Sequence, residues 1–384
     1  MQKIFDIIDK LEPEIKDLWI NIAKTESPSN CKEGVDSVGK LIEAFAKAKG
    51  FDTKVVPFKE AGNGLVVTFD NGSDKNPVAL MGHMDTVHKK GVFGEAVVKE
   101  EDGFLKGPGV YDCKGGLSVA LLTMCALKEA GYSERPIKLV MSPDEEVCAI
   151  YSKDEGKKYL RDNLRGSVMA LNCESGSPEG KIVTGRKSVL RLKITVKGKA
   201  AHAGSNYFDG VSAIKEAAHK IIHIEEGSQR DNITYNCGII EGGHIANSVP
   251  ENCSFIVDIR FKNIADEKTV MNHIEKIVNT SYVEGTTSEI SLVSHRIPME
   301  ETEGNLKLFE HVKNVSNKYG FGDLTSCVAG GGSDSCYSVA EGVPSLCAMG
   351  IEGHEQHTLR ERAYVSSLAK RAKLIAAAII EYNK

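Results

Sequence analysis

No CxxC pair occurs in this sequence, and ten cysteines spread over 384 residues are too sparse for a disulfide scaffold. Free thiols in a reducing cytoplasm are therefore expected. Cys125 in LLTMCALKEAG and Cys347 in PSLCAMG stand in apolar company and read as core residues. No apolar run is long enough to span a membrane. The opening MQKIFDIIDKLEPEIKDLW interrupts its apolar residues with charge, unlike a signal peptide. Neither sign of charge dominates: 48 basic against 53 acidic residues leave a net charge of -5, with no basic arm or aromatic-interleaved patch. That balance disfavours phosphate-backbone binding, so neither nucleic acid nor membrane is expected as a partner. A dinucleotide fingerprint is missing too. No GxGxxG follows a strand-like run, and the AGGG before Ser333 lacks the lysine of a phosphate loop.

What is present is a change of period along the chain. Residues 12–50 read as two helices, with Pro13 in the first turn of one and Gly50 stopping the other. FDTKVVPF, GLVVTF and PVALMG read as short strands, and LSVALLTMCALKEAG, apolar nearly all round, as a buried helix. The strand-like IKLVMS and SVMALN flank the helical KDEGKKYLRDN, which gives an α/β layer. After residue 184 the style changes. In VLRLKITVKG, Leu190, Leu192, Ile194 and Val196 alternate with Arg191, Lys193, Thr195 and Lys197, the mark of a strand with one wet face. With CSFIVDIR and two helical stretches, residues 185–297 read as a small two-layer α+β domain. NLKLFEHVKNVSNKYG, the PSLCAMG strand and a terminal helix from about Ala363 return to the earlier style. The expected architecture is an α/β domain made of residues 1–184 and 298–384, with the α+β domain inserted in it.

The chemistry-bearing residues fall at strand ends. His83 and Asp85, in HMDTVHKKG, follow NPVALMG; Asp112, in GVYDCKGG, stands at the mouth of the buried helix. Glu145 and Glu146 follow IKLVMS, and Glu174 follows SVMALN. Gly115 and Gly116 read as glycines that let the backbone turn tightly. Acidic groups gathered from separate strands would repel one another without a cation. A divalent ion removes that penalty, and imidazoles complete its shell. Adjacent glutamates cannot easily serve the same ion, so one as ligand and one as base is a sensible division. Each piece alone also suits a bland role: a solvated loop pair at His83 and Asp85, a helix cap at Asp112, a solvated acidic pair at Glu145 and Glu146, a surface turn at Glu174. Their common position favours a shared site.

HMDT, GPGVYDCKGG, PDEEV, NCESG, GKAAHAG and a late His-Thr, in that order, resemble the co-catalytic di-zinc metallopeptidases of the aminoacylase and glutamate carboxypeptidase family. The resemblance runs from near residue 15 onward. KAAHAG, ANSVP, VDIR and AGGGSDSCY follow the order of the bacterial glutamate carboxypeptidase branch. It implies a zinc-exopeptidase-like catalytic domain with an inserted lid and dimerisation domain, and two divalent ions per chain, Zn2+ first and Co2+ or Mn2+ as alternatives. His83 and Glu174 would hold one ion, Glu146 and His357 the other, and Asp112 both. Asp85 would fix the His83 ring and Glu145 would serve as general base. GHEQHTLRERAY offers His354 as well, and the family motif of a His before Ser or Thr selects His357. From the inserted domain, His202 would donate to the oxyanion of a partner subunit's site, and Asn247 and Arg260 would reach the substrate. Arg260 also suits an ion pair at a strand end. The loop 330–334, including Gly331, would line the pocket, with Asp334 capping the next helix.

The reaction implied is hydrolysis of a C-terminal amide in a short peptide or acyl amino acid, in the manner of a glutamate carboxypeptidase, by a cytoplasmic homodimer. A di- or tripeptide aminopeptidase, or an N-acyl amino acid deacylase, is the alternative within the class. A non-catalytic binding protein would be favoured by a missing ligand or base, and all seven positions are filled.

Overall fold

The computed structural model describes residues 1–94 and 97–382, and the chain divides into two compact units. The first combines Met1–Gly185, Glu301–Val328 and Ser333–Lys384; the second takes Arg186–Glu300 and Ala329–Gly332. A mixed α/β unit carrying an inserted one is the expected class.

A six-stranded sheet organises the first unit, with Val78–His83 at its pivot and buried at every position. Strands buried on both faces read as unbroken apolar runs, as VALM does. Val78–His83 runs parallel to Ile137–Ser142 on one side and to Met169–Asn172 on the other. Ser345–Leu346 adds a further parallel strand beyond Met169–Asn172. Gly64–Phe69 and Asp52–Val56 extend the opposite edge antiparallel. The four parallel strands therefore end at one rim, where open α/β sheets gather ligands.

Helix Lys114–Glu129 is buried from Lys114 to Leu127 and packs against helices Gln2–Lys24 and Ser367–Glu381. Its first turn lies very close to its neighbours. A Cβ at Gly116 would come 1.7 Å from the Cys173 carbonyl oxygen, and one at Gly115 would come 2.3 Å from that of Val110. Neither glycine has a positive φ, so close approach, rather than the expected tight turn, requires them. Two boundaries also differ from the pattern. Pro13 lies midway along Gln2–Lys24, not in a first turn. One lost donor is outweighed by the stripe of Ile7, Ile8, Leu11, Ile15, Leu18, Trp19 and Ile22 that the helix buries. The last helix begins at Ser367, because Arg362–Tyr364 is drawn into a strand against Phe104–Lys106. All ten cysteines are free thiols, with Cys125 and Cys347 buried. Among the described residues no helix is long and apolar enough to cross a membrane.

The second unit is a four-stranded antiparallel sheet in the order Thr234–Gly242, Asn252–Arg260, Val189–Lys197, Thr287–Arg296. Leu190, Leu192, Ile194 and Val196 join Phe255, Val257 and Ile259 in one core, with helices Ala213–Glu225 and Asp266–Val278 packed on it. Glu216 and Lys220, both fully buried, form an ion pair at 2.8 Å. Lys220 Nζ also donates to the carbonyls of Ile277, Val278 and Thr280, and Glu216 accepts from the Tyr282 and Val283 amides. The main segment of this unit, Arg186–Glu300, starts and ends side by side. Arg186 and Met299 exchange both backbone hydrogen bonds, at 2.8 and 3.0 Å.

Candidate metal centre

His83 is the last residue of its strand and only 1% exposed. Glu145 and Glu146 open the short 3-10 turn Glu145–Val147 after Ile137–Ser142, and Glu174 follows Met169–Asn172. Asp112 lies just before helix Lys114–Glu129, and His357 lies in the turn after Gly353–His354 with a φ of 63°. Five separate segments thus deliver their side chains to one rim.

The Asp112 carboxylate spans two imidazoles: Oδ1 is 3.1 Å from His83 Nε2 and Oδ2 is 3.2 Å from His357 Nε2. Glu174 Oε1 stands 3.8 Å from His83 Nε2, and Glu146 Oε2 stands 3.2 Å from His357 Nε2. His83, Asp112 and Glu146 lie within reach of one ion, as do His83, Glu174 and Cys113, and His357 adds a second imidazole against Asp112 and Glu146. Around a tetrahedral ion with nitrogen and oxygen bonds near 2.0–2.1 Å, ligand atoms lie about 3.3 Å apart, so the spacing fits. Glu146 Oε1 is buried with no hydrogen-bond partner among the described residues, an orphan that a cation would satisfy. Cys113 was not anticipated. Its sulfur groups with His83 and Glu174 as a third possible donor, although it also lies 3.4 Å from the Cys173 carbonyl oxygen. His354 turns elsewhere, with Nε2 3.0 Å from the Tyr364 hydroxyl.

The electrostatics describe a cluster short of positive charge. Burial and then the Asp112 charge push the Glu146 carboxyl up to about 8. Burial, with Asp112 adding, lifts Glu174 well above the usual range. Burial would raise Asp112 too, yet hydrogen bonds from His357 and His83 hold it far below its ordinary value. Hydrogen bonds to Asp112 and then Glu146 raise His357 to about 11. Without ions the imidazoles serve as the cations, and divalent ions would displace their protons.

Asp85 is fully buried and organises the surroundings. One oxygen lies 3.2 Å from His83 Nδ1 and accepts from the Glu145 amide at 3.1 Å. The other accepts from the Glu146 amide at 3.2 Å and from Ser29 Oγ at 2.6 Å. His83 Nδ1 lies closer still, 3.0 Å, to the Asp85 backbone carbonyl, so Asp85 meets the His83 ring and the amides of both glutamates. Asp334 does not cap the helix Ser335–Ala340 through its side chain; its carboxylate accepts from Ser142 Oγ at 2.5 Å, beside the same turn.

The remaining candidates belong to the second unit. His202 is exposed, and its Nδ1 accepts from the Gly204 and Ser205 amides at 3.1 and 3.0 Å. Exposed Asn247 accepts from the Ala203 amide through its carbonyl, so it sits beside the His202 loop. Arg260 donates side-on to Asp258, through Nε at 2.5 Å and Nη2 at 2.9 Å, and Asp258 also takes Arg191 Nε at 2.8 Å. Gly331 accepts from Arg186 at 3.1 Å.

An α/β sheet with carboxylates and imidazoles gathered into two possible ion sites at one rim, interrupted by an α+β insertion, defines a two-ion metallohydrolase. Residues 79–381 match peptidase family M20/M25/M40, and the chain belongs to that family. It is a metal-dependent exopeptidase with a zinc-type two-ion centre. Carboxypeptidase G2 of Pseudomonas sp. is 26% identical, over 98% of this chain and 91% of its own length. The aminopeptidase PepT of Bacillus cereus superposes with a TM-score of 0.79 at 22% identity, covering 97% of this chain and 99% of that one. A Staphylococcus aureus tripeptidase gives 0.79 at 23% identity, with 96% and 97% covered.

Proposed function

We propose that the chain removes residues from the amino end of di- or tripeptides, or deacylates N-acyl amino acids, within this metal-dependent class. The observation that carries the reading is the convergence of His83, Asp112, Glu146, Glu174 and His357, with Glu145 beside them. An aminopeptidase and a tripeptidase share the fold over nearly the whole chain, which supports a short-peptide substrate. Release of a C-terminal residue, as in the glutamate carboxypeptidase branch, is the second reading. Carboxypeptidase G2 favours it by matching 98% of this chain.

His83 and Glu174 are the proposed ligands of one ion, Glu146 and His357 of the other, with Asp112 shared. When bound, two divalent ions, zinc by preference and cobalt or manganese as alternatives, supply a Lewis acid for the scissile carbonyl and acidify the attacking water. Glu145 takes the proton from that water and hands it to the leaving nitrogen. Its amide, donated to Asp85, keeps its carboxylate in register with the His83 ring. His202 has its Nδ1 occupied as an acceptor, so the neutral ring carries its proton on Nε2, the form that can donate to an oxyanion. Asn247, Arg260 and Gly331 are the proposed substrate contacts, and the inserted module of residues 185–297 the surface that pairs two copies, so that His202 serves the partner's site.

Dipeptides blocked at one end or the other provide the test. Cleavage that requires a free amine, and tolerates a blocked carboxylate, is the expected outcome. Dependence on a free carboxylate with indifference to the amine transfers the assignment to the carboxypeptidase reading. Mixing the inactive variants His202→Ala and Glu145→Gln tests the assembly, since a mixed dimer would regain one complete site. No recovery despite demonstrated subunit exchange removes His202 from the partner's chemistry.

A further inference from the structure

One buried carboxylate beside the centre has no part in the chemistry above. Glu361 is 1% exposed, and its two oxygens reach three partners. Oε1 accepts from the backbone amides of Tyr111 and Asp112, at 2.9 and 3.0 Å. Oε2 meets His88 Nε2 at 2.7 Å. His88 is itself buried and set edge-on against the Phe93 ring at 4.9 Å.

The partners matter because of what else their segments carry. His88 lies on the segment that begins with His83 and Asp85. Tyr111 and Asp112 form the turn whose carboxylate spans both imidazoles. Glu361 itself closes the turn that starts at His357, where Glu355 and His357 both hold positive φ values, 64° and 63°. The Glu361 amide bonds back to the Thr358 carbonyl at 3.1 Å, and its carbonyl accepts from Gly107 at 3.3 Å, just upstream of Asp112. One side chain therefore joins three donor-bearing segments that are remote in sequence; the Glu361–His88 link alone spans 273 positions.

We propose that Glu361, backed by His88, is a positioning residue that fixes the shared carboxylate of Asp112 against His357. The physical argument is one of freedom. The His357 side chain is 53% exposed, so packing does not hold its ring. Its 3.2 Å approach to Asp112 depends on the relative placement of two loops, and Glu361 bonds to both. Partners that orient metal ligands in this way change metal affinity by roughly 10- to 100-fold when removed.

The inference rests on reading the cluster as a two-ion centre, and the test separates the two. Chelator-stripped full-length protein is titrated with Zn2+ and with Co2+, read by competition against a chromogenic chelator and by the cobalt absorption spectrum. Glu361→Ala should weaken uptake of one ion by about 10- to 100-fold and alter the cobalt bands. Glu361→Gln retains an oxygen for the two amides and should recover most of that loss. His88→Ala should shift affinity in the same direction by a smaller factor. Wild-type affinity and spectrum in Glu361→Ala would overturn the inference. So would equal loss in Glu361→Ala and Glu361→Gln. If Glu361→Ala does not fold, Glu361→Gln and His88→Ala decide: a His88→Ala protein with wild-type affinity and spectrum overturns the tie. Wild-type protein that takes up no divalent ion defeats the two-ion reading instead.

Discussion

Each unit buries a cluster of charge, and the two solve the same problem in opposite ways. In the inserted unit the Glu216 carboxylate has its own lysine at 2.8 Å and two backbone donors, and the Lys220 ammonium has three carbonyls. Glu216 Oε1, like Glu146 Oε1, accepts no hydrogen bond among the described residues, but the Lys220 ammonium beside it balances its charge, so no further ion is called for. In the catalytic unit three carboxylates share two imidazoles, and Glu146 keeps a buried oxygen without a partner. A buried acid matched by a cation of its own holds a fold together, whereas a group of acids short of positive charge marks where a cation belongs.

The largest effect that sharpens this contrast is expected at Glu145. Glu145→Gln should lower turnover by roughly 10² to 10⁴, which is about 3 to 5 kcal/mol of barrier, while both ions remain bound. Turnover measured beside elemental analysis checks it, and a near-normal rate would mean the general base lies elsewhere. Next comes Lys220→Met, which strands Glu216 in the core. Breaking a buried pair in this way costs about 3–5 kcal/mol in unfolding experiments, and the double change Glu216→Leu with Lys220→Met should recover most of it. A single variant with wild-type stability would break the comparison at its first term.

The opposite sign is expected at Glu146 in ion-free protein. Its carboxyl is pushed up to about 8, by burial and then Asp112, so the fold binds this proton more tightly than the unfolded chain does. That contribution is present below an unfolded value near 4.5 and disappears as pH rises through about 8. Glu146→Gln should therefore match the ion-free wild type below about pH 4.5, melt increasingly above it as pH rises towards 8, and lose one ion from the holoprotein. Thermal melts across pH, with and without chelator, measure this. The smallest effect concerns Asp258. Asp258→Asn loosens the Arg260 guanidinium, and KM for peptides with a free carboxylate should move several-fold if Arg260 reads that group. An unchanged KM leaves Arg260 as part of a strand-end ion pair only.

His83, Glu146 and Glu174 were legible because each follows an apolar run that reads as an interior strand, and parallel neighbours make such runs end together. Asp112 precedes a helix and His357 sits in a turn, so their place came from the family motifs. The expectation of a period-two strand in the insertion met Val189–Lys197, where buried and wetter residues alternate as the sequence does. The two edge strands of its sheet were opaque for a physical reason. Thr234–Gly242 shifts register between Asn236 and Ile239, and Thr287–Arg296 between Leu292 and Ser294, so neither keeps the alternation that betrays a strand. Glu361 and His88 carry no local signal at all, because their partnership exists only once distant loops meet. The role of Gly115 and Gly116 was misjudged because crowding by the Val110 and Cys173 carbonyls is a property of tertiary contact, not of local backbone shape.

The paired backbone hydrogen bonds of Arg186 and Met299 have a consequence for the chain's modularity. Entry and exit strands zipped to each other mean that the insertion needs no help from elsewhere to bring its ends together. Excised just outside that zipper, the insertion starts with its termini adjacent, the condition under which transplanted domains fold and circular permutants are tolerated. The same adjacency lets an insertion of different length be spliced in at little entropic penalty, about 0.6 kcal/mol for each doubling of the loop. Replacing the insertion with another module whose own ends meet should therefore leave the first unit able to fold.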